Sequence, residues 1–165
     1  MENIIITMAC IALILIGTVS FANSSMSSID EISNSWKQTE KISNEIRLTE
    51  ITAISSQVYD NGSRAEVVVR NDGAVSLLNF SKWDVIMRYQ GGTVKWIPYS
   101  ASIPGWTISG IYLNGKTEIY EPNIFNPMET MKLNIKLSPV LSDNTTNLVT
   151  IATNKGVRSV ITVVK

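Results

Sequence analysis

Four asparagines begin an Asn-x-Ser/Thr triplet: Asn23, Asn61, Asn79 and Asn144. That spacing permits one reaction, transfer of a glycan to the side-chain amide, which takes place on exposed loops of exported proteins. A chain this rich in Asn, Ser and Thr carries roughly two or three such triplets by chance. The four therefore agree with an outside location without establishing it. Other reactive groupings are missing from the sequence. It contains no His, so the commonest general base and the commonest metal ligand are both absent. The single Cys, Cys10, lies in an apolar run, where it can form neither an internal disulfide nor a zinc cluster and reads as a small packing residue. Gly-x-Ser-x-Gly does not occur, and no Gly-rich loop leads into Lys and Ser or Thr. Asp60, Asp72, Asp84 and Asp143 fall in or beside turns or on an open strand face, without the close Asp-x-Asp-x-Asp spacing of a calcium loop. Lys and Arg total 14 and Asp and Glu total 14, so the net charge is zero and leaves no electrostatic footprint for nucleic acid. The expectation is a non-enzymatic protein with no catalytic residue, cofactor or metal.

Function must then rest on surfaces, and the stretch that positions them is Ile4 to Ala22. It holds no charge, and Ile4, Ile5, Ile6, Leu13, Ile14, Leu15, Ile16 and Phe21 are its bulky apolar residues. At about 1.5 Å of rise per residue, a helix of this length just crosses a hydrocarbon core of about 30 Å. Thr7, Thr18 and Ser20 cost little there, because a hydroxyl bonds back to a carbonyl one turn earlier. Residues 1–22 are expected to be a transmembrane anchor. A cleaved secretory signal is the competing reading, since Ser20-Phe21-Ala22 offers a small-residue cut site. Against it, Met1-Glu2-Asn3 has no basic residue and the apolar run exceeds a signal core in length. The first basic residue is Lys37, so loop charge does not set the orientation.

Residues 23–50 read as a helical connector. Ile29, Ile32, Trp36, Thr39, Ser43 and Ile46 alternate at spacings of three and four, a heptad seam that is apolar at its start and half polar in the middle. The seam fits either a helix lying on its own domain or one packing on a partner helix through Ile29, Ile32, Trp36 and Ile46. Glu40 with Lys37, and Lys41 with Glu45, stand at pairing distance on a helix. Ser24, Ser25, Ser27 and Ser28 are poor helix-interior residues and permit a flexible joint.

From Ile51 the pattern changes to period two. Ala65 to Arg70, Trp83 to Tyr89, Val94 to Tyr99, Ser109 to Leu113, Thr117 to Tyr120, Met131 to Leu137, Leu148 to Thr153 and Val157 to Val164 read as short strands. Asp60-Asn61-Gly62, Asn71-Asp72-Gly73, Gly91-Gly92, Asn114-Gly115 and Asn154-Lys155-Gly156 supply turns between them. Eight or so strands at spacings near ten residues, with no helical interruption, predict an antiparallel, immunoglobulin-like β-sandwich over residues 51–165. Trp83, Trp96 and Trp106 are expected to fill the space between its sheets. Of the three, Trp106 follows Pro104-Gly105 in a loop and is the one expected at a partner surface.

The fragments Val69-Arg70-Asn71-Asp72-Gly73, Pro127-Met128-Glu129 and Val149 to Val157 resemble the sandwich domains of the archaeal motility machinery. One N-terminal membrane helix followed by one β-sandwich is the layout of the archaellum stator protein F/G family, and the chain is similar to that family, most of all to its protein F. The resemblance implies a single-pass protein of the cell membrane with its C-terminal domain outside, in the pseudo-periplasm. There it binds the surface-layer protein, or another archaellum protein such as its F or G partner, and holds the motor still, as a homo- or hetero-oligomer. Archaellins and archaeal pilins share the layout, with the apolar helix in a filament core. They carry a basic residue and Gly before that helix, which Met1-Glu2-Asn3 does not, so a filament subunit is the alternative reading.

Overall fold

The computed structural model describes residues 2–165; Met1, the first residue of the expected anchor, lies outside the described residues. Two compact units divide the chain, one ending at Asn44 and the other running from Glu45 to Lys165.

Helix α1 runs from Glu2 to Leu48. Its apolar first half has no Pro and a single Gly17, which leaves nothing to break it. The hydroxyl of Thr7 donates to the Asn3 carbonyl at 2.7 Å and that of Thr18 to Leu15 at 2.9 Å, so these polar groups are satisfied within the helix. The serines do not form a joint. Ser27 and Ser28 donate back to the carbonyls of Asn23 and Ser24, and the helix passes through them unbroken.

The sandwich begins where α1 ends. The backbone N–H of Thr49 donates to Ile46 and its hydroxyl to Glu45, which satisfies carbonyls of the last turn. Strand β1 (Ile51–Tyr59) then turns at Asp60–Gly62 into β2 (Arg64–Asn71). The chain crosses to a second sheet for β3 (Asp84–Arg88) and β4 (Val94–Ile97), a hairpin over Gly91-Gly92. It returns for β5 (Gly105–Leu113), β6 (Lys116–Thr117) and β7 (Thr130–Lys136), then crosses again for β8 (Thr146–Ala152) and β9 (Arg158–Val164). The first sheet has the order β1-β2-β7-β5-β6 and the second β4-β3-β8-β9, every ladder antiparallel. Residues that the period-two pattern placed on one face are the core: Val67, Val69, Met131, Leu133 and Ile135 from the first sheet meet Val85, Met87, Val149 and Ile151 from the second.

One flank of the sandwich is stitched shut. The hydroxyl oxygen of Ser159 on β9 accepts from the Ala53 N–H on β1 at 2.9 Å, and the Ser56 hydroxyl donates to the Thr162 carbonyl at 2.8 Å. These bonds leave β4 and the two-residue β6 as the edges without such a neighbour.

The tryptophans do not sort as expected. Trp83 is buried against Phe80 and Phe125, as its alternation with Val85 and Met87 requires. Trp106, expected at a partner surface, is 0 % exposed, and Trp96, expected in the core, is 59 % exposed. Both corrections follow from period two. Ile97 on β4 faces inward, so its neighbour Trp96 faces out. β5 starts at Gly105 rather than after it, which places Trp106 opposite Ile135 on the inward side. Only Gly fits at 105, where a Cβ would lie 2.4 Å from the Ser100 carbonyl oxygen and 2.5 Å from that of Ser102. The 100–102 turn closes over it, and the Tyr99 ring meets the Trp106 ring edge to face at 4.8 Å.

Candidate interaction surfaces

The sequon asparagines are all exposed. Asn23 lies on α1; Asn61, Asn79 and Asn144 stand in turns at φ of 55°, 57° and 56°. Left-handed backbone is where Asn is enriched, so turn geometry alone accounts for those three.

The bulky residues of the expected anchor, Ile4, Ile5, Ile6, Leu13, Ile14, Leu15, Ile16 and Phe21, are likewise exposed. A core helix of a water-soluble protein covers such residues with its own chain; this one covers none of them. The described chain contains one helix long and apolar enough to cross a membrane, and none of its most apolar window is buried. Ile29, Ile32, Trp36 and Ile46 of the seam are exposed too, and Trp36 with Ser35 and Thr39 borders a shallow hollow of about 240 Å³.

Among the described residues no three His, Cys, Asp or Glu side chains gather where they could hold a metal ion. Resolved protonation shifts have local causes. The Arg70 guanidinium bonds the Asp72 carboxylate and, with the Thr52 hydroxyl, holds it below its usual value. Burial pushes the Tyr89 phenol up, and its hydroxyl donates to the Pro139 carbonyl at 2.9 Å. A cleft of about 340 Å³ lies between the end of α1 and the 75–79 loop, with Lys155 Nζ bonded to Glu45 Oε2 at 2.6 Å on its wall.

Two of the short motifs that carry the family resemblance meet in space, and their role is structural. Asn71 is fully buried. Its Nδ2 donates to the Val75 and Phe125 carbonyls, both at 2.9 Å, and its Oδ1 accepts from the Gly73 N–H at 3.1 Å. The Asn71 N–H donates to the Glu129 carbonyl at 3.0 Å, and the buried Glu129 carboxylate accepts from the Asn126 N–H at 2.6 Å. Gly73 sits against the exit of α1, where a Cβ would stand 2.5 Å from the Leu48 carbonyl oxygen. This knot fastens two loops and the start of β1. No single residue in it advertised that link, because its partners lie as far apart in the chain as Asn71 and Glu129, 58 positions.

No protein-family model matches the chain, and no curated relative does. Solved structures do. The archaellum periplasmic stator protein FlaG from Sulfolobus acidocaldarius is similar at 20% identity and a TM-score of 0.57, covering 70% of this chain and 100% of its own. A chain of the FlaF and FlaG stator complex from the same organism matches equally well, over 70% of this chain and 90% of its own. The archaeal flagellum of Methanospirillum hungatei strain JF1 is similar at 12% identity and a TM-score of 0.58, covering 93% of this chain and 90% of its own. At such identities the likeness is one of fold: it covers 70% of the chain against the stator proteins and, against the archaeal flagellum, 93% of it.

Proposed function

We propose that this chain is a non-enzymatic structural component of the archaellum motor, a membrane-anchored stator protein of the F or G kind. The observation that carries the proposal is an uncovered apolar helix in the same chain as a sandwich that matches a stator protein over that protein's whole length. In this reading residues 1–22 hold the bilayer, residues 23–50 connect, and residues 51–165 lie outside the cell membrane. There the sandwich binds the surface-layer protein or a stator partner and gives the motor its fixed point. The seam at Ile29, Ile32, Trp36 and Ile46 packs on a partner helix, and any sugar sits on Asn23, Asn61, Asn79 or Asn144. The solved FlaF and FlaG complex supports a protein partner of this kind. Detergent-solubilised full chain should retain purified surface-layer protein, or a stator partner, at micromolar concentration; retention of neither would sink the proposal.

A filament subunit is the second reading, favoured by a likeness to the archaeal flagellum that covers 93% of the chain and so reaches into α1. Mass spectrometry of sheared filaments separates the two. A stator stays with the membrane fraction, whereas a subunit appears in the filament in many copies.

A further inference from the structure

Two Asn-Gly pairs occur in the chain, Asn61-Gly62 and Asn114-Gly115. In such a pair the side-chain amide lies open to attack by the next backbone nitrogen, because Gly has no side chain to obstruct the approach. The fold treats the two pairs differently. Asn61 and Gly62 are pinned on both sides. The Gly62 carbonyl accepts from the Leu141 N–H at 2.9 Å, the Ser63 N–H donates to the Asp60 carbonyl at 3.2 Å, and the Ser63 carbonyl accepts from the Leu137 N–H at 2.8 Å. Gly62 is buried, and a Cβ there would stand 2.4 Å from the Leu141 carbonyl oxygen. Asn114 and Gly115 form the two-residue tip between β5 and β6, at φ of 51° and 78°. Both are exposed, and nothing lies within 4 Å of where a Cβ on Gly115 would stand. Neither the Asn114 side chain nor the Gly115 N–H has a hydrogen-bond partner among the described residues. Only the pairs Leu113 with Lys116 and Tyr112 with Thr117, and the Glu118 N–H bond to the Ile111 carbonyl at 2.8 Å, hold this hairpin shut.

We propose that Asn114 is a site of spontaneous deamidation through a cyclic imide, and that the turn around Asn61 holds the same reaction back there. Hydroxide from solvent takes the proton from the Gly115 amide. The nitrogen lone pair attacks Asn114 Cγ, and Nδ2 leaves as ammonia, which closes a five-membered ring. Water then adds to one of the two ring carbonyls. Breaking the bond from Cγ to nitrogen gives aspartate; breaking the original peptide bond gives isoaspartate, with the chain running through the side chain. No oxidant or reductant is needed. The ring closes only when Asn114 leaves its left-handed turn conformation, and a hairpin with so short a ladder opens locally at little cost.

Either product replaces a neutral amide by a carboxylate and moves the net charge from zero to one negative. Isoaspartate also adds a backbone carbon between Leu113 and Lys116. The length of a two-residue turn fixes the register of its hairpin, so this product detaches β6. β5 then becomes the edge of the first sheet. The reaction is independent of the stator reading, because it needs only water at an exposed turn.

The test uses the full chain, made in a host without N-glycosylation so that Asn61 keeps its free amide. Samples kept folded in detergent at mildly alkaline pH are digested over several days, and aspartate and isoaspartate at each site are quantified by mass spectrometry. Asn114 should convert on the order of tenfold faster than Asn61, because only its turn opens locally. In concentrated guanidinium chloride neither turn persists, and the two rates should converge to within a factor of about two. Equal rates in the folded chain, a faster Asn61, or an Asn114 that reacts only when unfolded would each overturn the proposal. So would a difference that survives denaturant, since sequence and not fold would then set it, or aspartate formed at Asn114 without isoaspartate, since no ring would then have formed.

Discussion

Trp106 and Trp96 have the same side chain and opposite fates. Trp106 is sealed between the sheets and Trp96 lies in solvent, so truncation should separate them sharply. Trp106→Ala should cost about 3–5 kcal/mol in chemical unfolding, the range for emptying a large aromatic site, and Trp96→Ala should stay under about 1 kcal/mol. Asn71 makes a second test. Its loss removes the side-chain donor of the Val75 carbonyl and one of two partners each for the Phe125 carbonyl, which keeps the Leu77 N–H, and the Gly73 N–H, which keeps the Glu50 carbonyl. Asn71→Ala should lower stability by at least about 2 kcal/mol, read from the same transition. The Arg70–Asp72 pair gives a pH dependence of defined sign. A carboxyl held below its ordinary value in the folded chain stabilises the fold above about pH 4, where the unfolded group is also ionised. That contribution is lost as pH falls through the folded value. The difference in Tm between the wild-type chain and Asp72→Asn should be greatest near neutrality and close on acidification, and it should be small because the pair is partly exposed to solvent.

At the scale of elements, α1 and the strands draw stability from different sources. The strands bury one face each against one another, whereas the apolar stretch of α1 buries nothing of its own. Such a helix needs lipid or other helices around it, and a charge at its centre is costly there. Leu13→Arg adds about 2.5–3.5 kcal/mol to the cost of insertion. The variant should move a substantial share of the chain out of the carbonate-resistant membrane fraction, as an immunoblot of the fractions would measure. An unchanged distribution would mean that residues 4–22 do not sit in a bilayer. The seam farther along α1 reads differently. Its spacing of three and four is satisfied by one helix, but its apolar side remains uncovered, so the pattern alone leaves open what packs on it.

For the whole molecule, the boundary of the folded unit is the testable feature. The compact C-terminal unit starts at Glu45, inside α1, because Lys155 bonds Glu45 and the Ala74 N–H donates to the Leu48 carbonyl. Limited proteolysis should leave a resistant fragment beginning near Glu45 rather than near Ile51, with its start read by mass spectrometry. Amino-acid order by itself determined the long apolar helix, the sandwich class, most of the turns and the inward faces of β2, β3 and β7. Each of these is written locally, as an uncharged run, a period of two or an Asn-Gly or Asp-Gly signal. Tertiary structure alone decided which tryptophan was core, where β5 began, how Asn71 met Glu129 and how β1 closed on β9. Those outcomes depend on register and on partners dozens of residues away. A one-residue change of register moves every side chain of a strand to the other face, and no local pattern records which register the distant partner imposes.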